Sequence, residues 1–247
     1  MKRKKICIAY AYYKTSFGLC LFYTNAIRLR KMIDGAYFTT HILYEIAKQA
    51  YHRVSSQVEN KSHNDALVAV LFSTATLESY MSQAVFFAQM WSNRHPKIKV
   101  FAQFMGELES RDAGSSLKTK YYMAHWIICG TPLDRGKLTY QDFDLLVDMR
   151  NALMHLKPDK YNSQKIRKIL SRLKNRKLIP DNLVPNYNPN IPEQRTVWVH
   201  YVSTATIAKW ACNTAAEMIQ EFWKNAPEEE IRQFFRIDAN AGGYVPL

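Results

Sequence analysis

The residues best suited to chemistry lie within six positions of one another. Arg150, Asn151 and His155 fall in the run DMRNALMH, residues 148–155. An arginine offers a planar fork of donors that grips a phosphate and stabilises charge building on it. An imidazole titrates near neutral pH and can give or take a proton there. An asparagine beside them can orient the imidazole or a substrate hydroxyl. The set suits acid–base chemistry on a phosphodiester. It also has ordinary readings. A histidine near a helix C-terminus favours the helix dipole, and Arg150 could pair with Asp148 or with an acid elsewhere.

These residues need a helix to place them. QDFDLLVDMRNALMHLKP reads as one amphipathic helix stopped by Pro158. At about 100° per residue, Leu145, Met149, Ala152, Leu153 and Leu156 gather on one side, with Leu146 at its edge. That side is the expected core face. Asp144, Asp148, Asn151 and His155 form a second stripe. Arg150 lies about 140° around from His155. Val147, Asn151 and Met154 stand between them, so an apolar back face is expected to pack on something. The simplest partner is the same helix from a second copy. A two-fold interface is self-complementary and would bring two Arg150 and two His155 into one cleft.

Composition limits the partners. The 247 residues are 47% hydrophobic and 22% charged, a profile of folded rather than disordered chains. The net charge of +13 favours a polyanion, nucleic acid ahead of an anionic membrane. Cys7, Cys20, Cys129 and Cys212 lie far apart with no C-x-x-C pair, so neither a disulfide framework nor a zinc ribbon is indicated, and the scattered thiols fit a reducing cytosol. His125 and Cys129 are four apart and could share a helix face, but without a second ligand pair they read as core or boundary residues; no metal site and no cofactor are expected.

Two stretches raise a membrane question. MKRKKICIAYAYY starts like a signal peptide, but Lys14 cuts it and no small-residue cleavage site follows. Export is not expected, and residues 1–36 read as an extension, irregular or added by an upstream start codon. Residues 66–91 are long enough to span a bilayer, yet Ser, Thr, Gln and Glu78 interrupt them. A central helix, buried nearly all round, is the expected form.

Helical spacing dominates the rest. Helices are expected at 38–54, 66–91, 99–110, 117–130, 142–157, 165–177 and 203–225. The one strand-like stretch is RTVWVHYV, 195–202. Together they predict one all-α domain over 37–225 and a loosely attached tail at 226–247. The 165–177 helix carries seven Lys and Arg and no acid. It could track an RNA backbone or be a solvated face.

Arg150-Asn151-Ala152-Leu153-Met154-His155 resembles the R-x(4–6)-H motif of HEPN domains, the higher eukaryotes and prokaryotes nucleotide-binding superfamily, including the polar residue directly after the arginine. The apolar 66–91 helix with its ATLESY segment is similar to the early HEPN helix that holds an acidic residue. In pattern the resemblance covers residues 38–160; in specific detail it covers the six-residue motif. It implies a HEPN-like helical bundle with an N-terminal extension and additional C-terminal helices, the motif lying near the N-terminal part of a late helix.

The resemblance also implies an activity: a metal-independent endoribonuclease, homodimeric and cytoplasmic, acting as a toxin or in phage defence, with RNA as substrate and an antitoxin or other regulatory protein as controller. His155 would transfer protons, Arg150 would bind the scissile phosphate and Asn151 would assist. Glu78 would orient Arg150 or pair elsewhere; it is the only charge between Asp65 and Arg94. A non-catalytic HEPN module that binds nucleotide, RNA or a protein is the alternative, and a membrane-associated helical protein is the third reading.

Overall fold

Every regular element among the described residues is a helix. The structure is a computed structural model and describes residues 39–56, 64–110, 116–154, 160–179, 197–238 and 244–247. The expected extension at 1–36 lies outside them. The helices are α1 at 39–55, α2 Asn64–Met90, α3 Pro96–Ser110, α4 Leu117–Cys129, α5 Leu138–Met154, α6 Lys160–Asn175, α7 Val197–Val202, α8 Ala205–Lys224 and α9 Glu229–Asp238.

α2 is the central column, and its sequence explains why. Alanines, Val70, Leu77, Tyr80, Met81 and Phe87 are buried around it, together with Ser73, Thr74, Thr76 and Gln83. A polar group can be buried at low cost only when hydrogen-bonded. Thr74 and Thr76 donate to the carbonyls of Val70 and Phe72 one turn back, and Gln83 accepts from Thr40 of α1 at 2.6 Å. α8 presents Ala208, Ala211, Ala215 and Ala216, all fully buried, and makes the most extensive packing with α2. Small side chains let the two backbones approach closely. No helix among the described residues is long and apolar enough to cross a membrane.

The helix ends follow local chemistry. Pro96 opens α3, where a missing N–H costs nothing. The Ser116 hydroxyl accepts from the Thr119 amide at 3.2 Å and caps α4. Gly130 closes α4 at φ 73°, a left-handed conformation that glycine adopts without Cβ strain.

Two expectations fail in the C-terminal region. The strand-like stretch forms α7 instead, with Trp198 and Val202, four residues apart, both fully buried. β-branched and aromatic residues fit a strand, but packing overrides that preference. The supposed loose tail is part of the core. Ile231, Phe234 and Phe235 of α9 are buried, and Phe235 meets Phe101 edge-on at 5.6 Å. Tyr244 is buried beside Tyr44, ring centroids 5.3 Å apart. One unit therefore runs from Thr39 to Leu247, not to residue 225.

Candidate functional site

α5 packs against α2, α4, α6 and α8, so burial surrounds most of its length. Phe143, Leu145, Leu146 and Met149 are fully buried, as the core face requires. Val147 is only 5% exposed and belongs to the same interior. Its expected place on a face reserved for a second copy is wrong: with neighbours on several sides, the helix has no dry back at this level. Met154 differs. It is 56% exposed and is the apolar residue of the expected back face that the chain itself leaves uncovered.

Arg150 and Asn151 stand in the last two turns of α5, both half-buried. Their placement departs from the N-terminal position implied by the HEPN resemblance. The Arg150 guanidinium is held from two sides. Nη1 donates to Asn151 Oδ1 at 3.0 Å, and Nη2 faces the Glu78 carboxylate of α2, at 3.2 Å from Oε1 and 3.4 Å from Oε2. Of the two fates open to Glu78, pairing with Arg150 is the one observed. The pair is partly solvated, with 29% of the arginine side chain and 43% of the glutamate exposed. Coulomb attraction is screened there, so its worth lies in orientation more than in stability. His155 lies outside the described residues.

The acidic stripe of α5 has a different occupation. Asp144 and Asp148 both bind Lys118 of α4 and Arg172 of α6. Burial pushes the Asp144 carboxyl up, but the hydrogen bonds and charges of Lys118 and Arg172 outweigh it and hold the group below its ordinary range. Asp142 shows the opposite balance. Burial pushes its carboxyl up, and Arg176 at 3.2 Å only partly offsets this. Helical spacing alone does not predict this network. The sequence signal was present in two acids one turn apart and in arginines without acids on the neighbouring helix.

A concavity lies elsewhere, between the α4–α5 loop and α8, with a volume of about 200 Å³. His125, Cys129, Lys137, Tyr140 and Glu221 line it. His125 is 6% exposed and its Nδ1 lies 2.9 Å from the Thr131 carbonyl, which fits the expected core role. Burial pushes the Cys129 thiol up to about 11, so it stays protonated and is a weak nucleophile at neutral pH. Lys137 and Glu221 of this lining pair at 2.6 Å.

No protein-family model matches the chain, and neither a curated protein nor a solved structure matches it. The functional reading therefore rests on these residues.

Proposed function

We propose that the chain is a metal-independent endoribonuclease of the HEPN type, acting as a homodimer and serving as a toxin or phage-defence effector under an antitoxin or other regulatory protein. The observation that supports this reading is the presentation of Arg150: a partly exposed guanidinium, fixed by Asn151 and Glu78, next to the exposed Met154. A phosphate binds best to donors that are already oriented. In the proposed reaction the RNA 2′-hydroxyl loses its proton and attacks the adjacent phosphorus. The bond to the 5′-oxygen breaks, and that oxygen takes up a proton. The products are a 2′,3′-cyclic phosphate and a 5′-hydroxyl. His155 moves protons, Arg150 stabilises the phosphoryl oxygens, and Asn151 holds the guanidinium.

The test is RNA cleavage in EDTA, with the product ends mapped. His155→Ala and Arg150→Ala are each expected to lower the rate by about a hundredfold to a thousandfold. Arg150→Ala should change stability by about 1 kcal/mol or less, because the lost ion pair is partly solvated. Intact RNA with the wild-type chain, across several RNA classes, sinks the proposal.

One observation favours a second reading. Glu78 already partly neutralises Arg150, which suits a module that binds nucleotide, RNA or a protein without turnover. Binding without cleavage in the same assay selects that reading.

A further inference from the structure

α6 runs antiparallel to α5, and its contacts set the register. Arg176 meets Asp142 at 3.2 Å, and Arg172 meets Asp144 at 2.9 Å and Asp148 at 3.3 Å. Moving toward the N-terminus of α6 therefore moves toward the C-terminus of α5. Lys168 lies one turn before Arg172 and Lys165 about two turns before it. That register carries both lysines past Asp148 to the level of the last turns of α5, where Arg150 and Asn151 stand. At about 100° per residue, Lys165 and Lys168 share the flank of α6 that carries Arg172 and Arg176. Ile166, Ile169, Leu170 and Leu173 form the buried stripe beside that flank, and Arg167 lies on its other side.

The same flank thus meets two kinds of neighbour. Opposite Arg172 and Arg176 the α5 stripe is acidic, and those arginines are consumed in ion pairs. Opposite Lys165 and Lys168 the stripe has become Asn151. Both lysines are exposed, and neither has an ion pair among the described residues. Two exposed lysines level with Arg150 along α5, without an ion pair among the described residues and on a chain of net charge +13, complement a row of phosphates.

We infer that the Lys165–Lys168 flank of α6 is the track on which an RNA phosphodiester backbone lies as it passes Arg150. This deepens the ribonuclease reading and rests on it for the identity of the ligand. Lysines act here as point charges, so the track positions the strand without reading its sequence.

The experiment uses the full chain and a fluorescent 20-nucleotide 2′-O-methyl RNA, which lacks the attacking hydroxyl and cannot be cut. Binding is titrated by anisotropy from about 50 to 200 mM salt, the range over which phosphate contacts show themselves. For single strands each lost phosphate contact flattens the log–log salt slope by about 0.7. Lys165→Gln/Lys168→Gln should flatten it by about 1.4 and weaken binding roughly 10-fold to 30-fold at 100 mM salt. Arg167→Gln, on the opposite flank, should change affinity by less than about threefold. Circular dichroism and a thermal melt check that each variant keeps its helices.

Wild-type affinity in the double variant overturns the track. So does an equal loss in Arg167→Gln, which would reduce the effect to net charge. Absence of RNA binding by the wild type, with binding to anionic phosphatidylserine vesicles instead, overturns it in favour of a lipid surface. Binding as expected with no cleavage of ordinary RNA sinks the ribonuclease reading alone. Cleavage that survives the double substitution with unchanged KM sinks the track alone.

Discussion

Basic side chains gather at both ends of α5 and are used differently. Toward the N-terminus, Asp142, Asp144 and Asp148 bind Lys118, Arg172 and Arg176 over a fully buried layer of Phe143, Leu145 and Leu146. Toward the C-terminus, Arg150 keeps part of its surface in water, Met154 is uncovered, and the neighbouring stretch of α6 supplies lysines that meet no acid among the described residues. Charges matched within the chain hold helices together. Charges left unmatched on a firm support are available to something outside it. A count of Lys and Arg cannot distinguish the two, because both ends have them.

The largest effect should come from breaking the closed end. Leu145→Ala removes a fully buried side chain from a helix packed on several sides, and is expected to cost about 2–5 kcal/mol in urea unfolding. A cost below about 1 kcal/mol would mean that this end is not the rigid support described here.

The acids of that end sharpen the contrast through pH. Asp144 is held below its ordinary range, so the stability it contributes is present above the unfolded-state value and is lost as pH falls through the folded one. Asp142 is raised by burial, so stability falls as pH rises from the unfolded-state value through the folded one. At pH 7, Asp144→Asn should cost about 1 kcal/mol, after allowance for solvent screening, and flatten the acid limb of the stability curve. Asp142→Asn should cost less. Equal costs across pH 3–7, measured by denaturant titration, would remove the distinction between the two carboxylates.

The smallest effect on stability belongs to the open end. Met154→Asp should leave the unfolding free energy of the monomer within about 0.5 kcal/mol of the wild type, as surface changes do. Light scattering should show it converting the proposed dimer to monomer. A wild-type chain that is already monomeric removes the shared cleft from the ribonuclease proposal.

Much of this arrangement is readable from residue order. Heptad-like spacing locates α1, α2, α5 and α8, because each has one stripe, or in α2 nearly every side, apolar. Glu78 announces itself as the one charge in a long apolar run, and an ion pair is the usual fate of such a residue. The failures share a cause. Val147 was assigned to an outer face because an amphipathic projection assumes a single buried side, whereas four helices surround α5. RTVWVHYV looked like a strand because local preference carries no knowledge of the surface that Trp198 will fill. The C-terminal segment looked loose because its buried residues, Ile231, Phe234, Phe235 and Tyr244, are few and interrupted by charges. The pairing of Arg172 with Asp144 and Asp148 joins residues far apart in the chain, and a helical projection treats each helix alone.

The last four residues have a mechanical meaning. The Tyr44 hydroxyl of α1 donates to the Val245 carbonyl at 3.0 Å, Asn213 of α8 accepts from the Leu247 amide at 2.6 Å, and Gln220 donates to the Tyr244 carbonyl at 2.7 Å. A short strap thereby laces the first helix of the bundle to the eighth. Local opening at this strap must therefore loosen α1 and α8 together. Amides of α1 and α8 should accordingly exchange with deuterium in step, as one cooperative block.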